Sequence, residues 1–286
     1  MANAPKKAIG LIGLGAMGRG MAESLRRGGH EVHVCDVRHE AAKSFAQGGG
    51  VAHETPAQLA AHCAVVISVV VNADQTEQVL FGSGGAAQAM QKGSVFVMCS
   101  TVTPAWSVNL EHRLSELGIL YLDAPISGGA AKANQGQITM MTAGSSKAYE
   151  VCEDALNAMA GKVYKLGDKA GAGSKVKVIN QLLAGVHIAA AAEAMALGIR
   201  EGVDPESLYE VITNSAGNSW MFENRMPHVL ASDYTPLSAV DIFVKDLGLV
   251  LDMARTTKFP LPLSSTAHQC LCKPHPQGMQ KRMTAQ

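Results

Sequence analysis

A chain of 286 residues with 24 basic and 24 acidic side chains carries no formal net charge, which excludes the global basic excess that nucleic-acid binding draws on. That length makes about two domains. With 47% hydrophobic and only 17% charged residues, against a usual ~25% charged, the chain buries a sizeable core and is not disordered. The neutrality is a sum: residues 273–286 contain Lys273, Lys281 and Arg282 and no acid, so they carry +3, and the first 272 residues, with 21 basic against 24 acidic, carry −3.

Between residues 8 and 165, short β-type runs alternate with helix-length segments. The spacing predicts strands at 8–12, 31–35, 65–70, 94–99 and 119–122, then at 138–142 and 162–165. Helices are predicted at 17–28, 40–46, 57–61, 76–80 and 104–117. Apolar strands between helices imply a doubly wound, mostly parallel sheet covered on both faces, and the last strands, near Gly136 and Gly144, are expected to run antiparallel at its edge. No strand signal follows residue 166. Residues 174–200 read as one long helix whose centre, 182–199, is Ala-rich and apolar on nearly every side, so it is expected to be buried on all faces. Further helices are predicted at 205–214, with Asp204 as cap and Pro205 at the first position, at 220–226 and at 238–256. The organisation is therefore an α/β domain over residues 1–170 and an all-α domain over residues 171–286. The stretch 273–286, with Pro274 and Pro276, is an atypical tail without helical periodicity.

No uncharged apolar run reaches the ~18–20 residues that span a bilayer; the longest, 182–199, is broken by His187 and Glu193. The N-terminal MANAPKKAIGLIGLG places two lysines before an apolar stretch, but glycines break it and no cleavage-like end follows, so it reads as the start of the folded domain. The six cysteines form no CxxC pair and are expected to be reduced core thiols of a cytoplasmic protein. No metal is expected. Zinc needs closely spaced Cys and His ligands, and only Cys270 and Cys272, near His268 and His275, form any such cluster.

Gly13-Leu14-Gly15-Ala16-Met17-Gly18 follows a predicted strand and opens a predicted helix, the context that gives a GxGxxG pattern its meaning. The first glycine permits the turn, the second lets backbone approach a pyrophosphate, and the third lets helix and strand pack. The phosphates then meet the unpaired N–H groups of the helix N-terminus. The segment reads as a Rossmann-type dinucleotide site, the alternative being a glycine-rich turn with no ligand. Asp36, 18 residues after Gly18, stands where an acid hydrogen-bonds the adenosine ribose and repels the extra phosphate of NADP. That favours NAD, although Arg38 two residues on is able to accept such a phosphate. Val70, Val71 and Thr101 follow strands on the edge where ligands bind; Thr101 has the alternative of capping the helix at Thr103-Pro104.

The loop Asp123-Ala-Pro-Ile-Ser127-Gly128-Gly129 exposes backbone N–H groups beside a hydroxyl and can cradle a carboxylate, or is an ordinary turn. Lys177 and Asn180, three apart, share a helix face. Oxidising an alcohol to a carbonyl requires a base for the hydroxyl proton, and a desolvated lysine beside a cationic nicotinamide is tunable to that task. A lone lysine at a helix start is otherwise a solvated charge.

These segments occur in one order: the phosphate loop, the Asp-Ala-Pro-x-Ser-Gly-Gly loop, Gly171-x-Gly-x-x-x-Lys177-x-x-Asn180, and Lys245-Asp246-Leu247. Together they resemble the β-hydroxyacid dehydrogenase family, which includes 3-hydroxyisobutyrate dehydrogenase. The resemblance implies a Rossmann domain followed by a helical domain, with catalysis in the cleft between them. It implies Lys177 as the catalytic residue, Ser127, Gly128, Gly129 and Asn180 around a small substrate carboxylate, and Thr101 and Lys245 on the cofactor. The stretches 70–82, 218–222 and 260–263 are similar to the L-threonate dehydrogenase branch, whose members oxidise the 2-hydroxyl of a four-carbon sugar acid. Chemistry on 3-hydroxyisobutyrate or tartronate semialdehyde is the alternative within the family, and a non-catalytic NAD-binding protein the alternative outside it. Many relatives carry Asn at the position of Gln181. A homodimer or homotetramer is expected from the apolar long helix, with no nucleic-acid or membrane partner.

Overall fold

The computed structural model describes residues 8–233 and 240–272. The chain forms two compact units, Met1–Lys177 and Val178–Gln286. In the first, strands β1 (Ile9–Ile12), β2 (Val32–Cys35), β3 (Val51–Ala52), β4 (Val65–Ser68), β5 (Val95–Met98) and β6 (Leu120–Asp123) pair in the order β3-β2-β1-β4-β5-β6, all parallel. Every residue of β1, β2, β4 and β5 is buried. Helices cover both faces, so these strands read as apolar runs rather than alternations. Within them the pleat still sorts residues: Val65, Ile67, Val95 and Val97 face one core, while Val66, Phe96 and Met98 face the other.

The expected reversal at the edge is present. Strand β8 (Ile138–Gly144) pairs antiparallel with β6 and with the short β7 (Ile126–Ser127), and β9 (Ala160–Lys165) runs parallel to β8. Helices α1 (Gly18–Arg27), α2 (His39–Gln47), α3 (Pro56–Ala60), α4 (Ala73–Phe81) and α5 (Pro104–Glu116) fill the connections that the spacing predicted. Local chemistry sets their starts: Thr55 and Gln58 form a capping box on α3, Asn72 caps α4, and Thr103 with Pro104 opens α5. Two helices were absent from the sequence reading, α6 (Gly129–Gln135) and α7 (Ser146–Met159). In α7 the buried residues Ala148, Tyr149, Cys152, Ala155, Leu156 and Met159 follow the helical period, with Ser145 as cap.

The second unit is helical. Helix α8 (Ala172–Arg200) begins in the first unit and continues through the second, followed by α9 (Pro205–Thr213), α10 (Trp220–Leu230), α11 (Val240–Thr257) and α12 (Pro262–Leu271). Glycines set the packing on α8: a Cβ on Gly185 would lie 2.9 Å from Leu247, and one on Gly198 would lie 2.3 Å from Leu208. Small cores form around Val178, Leu247, Val250 and Ala267, and around Ala191, Met195, Phe222 and Met226.

The expectation that α8 is buried on all faces is corrected. One stripe, with Val178, Gln181, Gly185, Ala191 and Met195, is covered, whereas Ile179, Leu183, Leu197 and Ile199 are each about half exposed (49%, 53%, 59% and 53%). The helices that follow α8 in this small unit line one side of it and leave the other apolar side open. By length and composition alone α8 is apolar enough to cross a membrane, with Glu193 and His187 within its apolar centre. The cysteine expectation holds for Cys35, Cys63, Cys99 and Cys152, which are free and buried; Cys270 and Cys272 are free and exposed. The tail at 273–286, including His275, lies outside the described residues.

An unanticipated cluster sits at the outer edge of the sheet. His33 on β2, His53 after β3 and His62 after α3 bring their rings to centroid distances of 5.0, 5.6 and 5.6 Å. His33 Nδ1 and His53 Nε2 are 2.8 Å apart, and the other His33 nitrogen is 3.2 Å from Glu31. With the two rings only 11° from parallel, this nitrogen contact plus the two ring radii accounts for their separation, so they meet edge to edge over a shared proton. Burial, and then His33 and His62, hold His53 below its ordinary imidazole value of 6.5. A group held low binds fewer protons folded than unfolded, so its stabilisation is complete above pH ~6.5 and is lost as pH falls toward the lower folded value. Denaturant midpoints are expected to drop over that interval, and His53→Gln to remove part of the drop; a variant with the wild-type slope would show that His53 is not the group responsible.

Candidate functional site

The register of the parallel sheet aligns the strand ends. Ile12 pairs with Cys35 and Ser68, Ser68 with Met98, and Met98 with Asp123. The segments that leave these residues therefore start from one edge, where the order reverses between β1 and β4, the topological switch point at which open α/β sheets bind ligands.

Gly13 continues β1 by donating to Cys35 O at 2.9 Å and turns at φ +97°. A Cβ there would lie 2.4 Å from Val69 O, and a Cβ on Gly18 would lie 1.8 Å from Gly13 O. Both positions thus require glycine for packing of the loop against its neighbours. Gly15 differs: nothing lies within 4 Å of its Cβ position. Gly15 and Ala16 form the exposed tip, with Leu14 buried and Met17 half-buried beneath. No side chain caps the start of α1, and the Arg19 N–H turns back to Gly15 O at 3.2 Å. These features fit a dinucleotide pyrophosphate: open space at the middle glycine, tight packing at the outer two, and the N-terminus of a helix without a side-chain cap behind.

Asp36 is buried rather than a solvated acid at a strand end. Its Oδ2 accepts the Leu14 N–H at 2.6 Å, and its Oδ1 accepts the Arg38 N–H at 2.8 Å. The Arg38 guanidinium pairs with the same oxygen at 3.3 Å and donates to Leu14 O at 3.2 Å. The carboxylate therefore fastens β2 to the phosphate loop and holds the Arg38 cation against itself.

Val70 and Val71 leave β4 half-buried and exposed, with the Val71 N–H donating to the Gln75 side chain at 2.8 Å. Ser100 Oγ donates to Val70 O at 2.8 Å and contacts Thr76 Oγ1 at 3.1 Å. Ser100, beside Thr101, stands at a strand end where the sequence places the cofactor; Thr76 carries no such positional signal. Thr101 is half-buried and is not the cap of α5, since Thr103 Oγ1 accepts the Trp106 N–H at 3.4 Å.

Ser127 ends β7, and Gly128 and Gly129 follow with φ of +130° and +76°. Asp123, ahead of this loop, is fully buried; burial pushes its carboxyl up, opposed by hydrogen bonds from Ser174 and Gly171. Lys177 is 6% exposed on α8, so it is not a solvated charge.

In the second unit, Asn180 Nδ2 donates to Gln181 Oε1 at 3.0 Å, and Gln181 Nε2 donates to Asp246 Oδ2 at 2.5 Å. Lys245 Nζ pairs with Asp246 Oδ1 at 2.8 Å. Asp246 is 1% exposed, although Lys245-Asp246 read by itself resembles a surface pair. The structure thus links Asn180 and Lys245 through Gln181 and Asp246. A groove of about 420 Å³ beside Gly144, Tyr149, Lys165 and Asp168 holds none of the predicted site residues.

Comparison with known proteins agrees with this geometry. Residues 8–167 match the NAD binding domain of 6-phosphogluconate dehydrogenase, and residues 171–285 match a model described as NAD-binding of NADP-dependent 3-hydroxyisobutyrate dehydrogenase. L-threonate dehydrogenase of Cupriavidus necator is 66% identical over 91% of this chain and 88% of its own. That of Escherichia coli K12 is 49% identical over 91% and 86%. A solved structure described as 3-hydroxyisobutyrate dehydrogenase from Salmonella typhimurium is 48% identical, with a TM-score of 0.89 over 93% of both chains. A phosphate loop fit for a dinucleotide, a Rossmann sheet followed by helices, and this degree of identity establish that the chain belongs to the β-hydroxyacid dehydrogenase family, as an NAD-dependent hydroxyacid dehydrogenase.

Proposed function

We propose that this dehydrogenase oxidises the 2-hydroxyl of L-threonate to 2-dehydro-L-erythronate, with Lys177 as the acid/base. The observation that carries the chemistry is the burial of Lys177, a lysine amine withheld from water near the start of α8. The substrate reading is supported by several L-threonate dehydrogenases at 48–66% identity. NAD, bound along the aligned strand ends, supplies the hydride acceptor. Gly13, Leu14, Gly15, Ala16, Met17 and Gly18 hold its pyrophosphate, Asp36 its adenosine ribose, and Val70, Val71, Thr101 and Lys245 its remaining length. Ser127, Gly128, Gly129 and Asn180 hold the substrate carboxylate, and Lys177 takes the hydroxyl proton.

The second reading, 3-hydroxyisobutyrate, is favoured by the description of the Salmonella typhimurium structure. Steady-state rates on L-threonate, D-threonate, glycerate and 3-hydroxyisobutyrate with NAD and NADP separate the two: L-threonate with NAD is expected to give the highest kcat/KM. Lys177→Ala is expected to lower kcat by ~10²–10⁴-fold while NAD affinity, read by fluorescence titration, changes little. Near-normal turnover would remove Lys177 from the mechanism.

Asp36 selects NAD by its charge and by occupying Arg38. Asp36→Ser removes the repulsion and releases the guanidinium, so the ratio of kcat/KM for NAD over NADP is expected to fall about tenfold or more, a change of ~1.4 kcal/mol. An unchanged ratio would assign discrimination elsewhere.

Association as a homodimer or homotetramer would cover the open apolar side of α8. Sedimentation equilibrium is expected to give a dimer or tetramer, and Leu183→Lys with Leu197→Lys to shift it toward monomer; a wild-type monomer would reject this.

A further inference from the structure

Three donors from residues 171–174 converge on one buried carboxylate. Asp123 closes β6 with 0% exposure. Its Oδ2 accepts the Gly171 and Ser174 N–H groups, each at 2.9 Å, and its Oδ1 accepts the Ser174 hydroxyl at 2.6 Å. Helix α8 opens just after Gly171, which turns at φ +99°. A glycine there has no side chain to accept the first N–H groups of the helix, as Ser, Thr, Asp or Asn would. A carboxylate 48 residues earlier in the chain does so instead, and its charge also suits the positive end of the helix.

The contact is close because Gly173 permits it. A Cβ at that position would lie 2.4 Å from Met141 O and 3.2 Å from Asp123 Oδ2. Lys177 follows Ser174 by three residues, about 4.5 Å of helix rise, on the same side of the helix. The loop to Ser127 leaves from the other end of Asp123. One side chain therefore stands at the root of both the lysine helix and the Ser127–Gly128–Gly129 loop.

We propose that Asp123 is a positioning residue for the dehydrogenase reaction, its carboxylate clamping the first turn of α8 and so setting where the Lys177 amine stands. The proposal rests on Lys177 being the acid/base. Two variants separate geometry from charge. Asp123→Ala leaves three donors without their acceptor. Asp123→Asn can retain all three contacts, its carbonyl accepting the two N–H groups and its amide donating to the Ser174 oxygen, while the charge is lost.

The experiment measures kcat, both KM values and the pH profile of kcat/KM for wild type, both Asp123 variants and Lys177→Ala. Asp123→Ala is expected to lose about 100-fold in kcat with KM for NAD within about threefold. Asp123→Asn is expected to recover at least about tenfold of that loss. Its acid limb should move down by about half a pH unit or more, because a carboxylate that favours the ammonium has been removed. This combination supports the proposal, and any other result from folded variants overturns it. If Asp123→Ala does not fold, Asp123→Asn decides alone: kcat within about tenfold of wild type with a lowered limb supports the clamp, and any other result overturns it. Turnover retained in Lys177→Ala would overturn the functional reading itself, whereas an inactive Lys177→Ala beside unaffected Asp123 variants would overturn only the clamp.

Discussion

The register of the parallel sheet is the constraint on which the first unit depends. Because β1, β2, β4 and β5 are buried on both faces, a slip of one residue would exchange the side chains of two different cores. The strands are thereby held so that Ile12, Cys35, Ser68, Met98 and Asp123 stand in one row. Polar contacts then tie the segments leaving that row to one another. Asp36 accepts the Leu14 N–H, Ser100 donates its hydroxyl to Val70 O, and Asp123 accepts the Ser174 N–H at the start of α8. The apolar interior sets the level of the loops, and a few buried polar groups fix their conformation.

Some of this was legible from residues alone, for identifiable reasons. Fully buried strands appear as Val- and Ile-rich runs, and the phosphate-loop glycines stand between such a run and a helix, so β1, α1 and Gly13 to Gly18 are readable together. Strands β3 and β7, two residues each, are too short to show a period. Helix α7 carries a helical pattern, but it lies between two β-type runs, and no element is predicted there. The extent of α8 was readable and its burial was not, because Ala-rich composition states what a helix is made of and not which neighbours reach it.

The site divides in the same way. Glycines and strand-end acids have positional signatures; buried polar partners have none. Nothing in the local sequence distinguishes the buried Asp246 from a surface acid, or shows that Asp123 reaches forward 48 residues to Gly171. The charge balance was legible as arithmetic only. The positive stretch at 273–286 falls outside the described residues, while the match to the second family model runs to residue 285, so its unusual composition does not separate it from the family.

Identity with both L-threonate dehydrogenases and a 3-hydroxyisobutyrate dehydrogenase structure leaves the choice of substrate to the side chains. Here Gln181 matters. By accepting one Asn180 N–H at 3.0 Å while donating to Asp246 at 2.5 Å, it fixes the direction of the Asn180 amide. The Asn180 amide also carries a second N–H and a carbonyl, one donor and one acceptor. A 2-hydroxy acid offers the complement, a carboxylate oxygen to accept and an adjacent hydroxyl to donate. In 3-hydroxyisobutyrate the hydroxyl is one carbon farther from the carboxylate, and the carbon between them carries a methyl group. The polar chain from Asn180 to Asp246 therefore fixes the amide that the proposed site sets on the substrate carboxylate, and the two acids differ in what they would bring beside it.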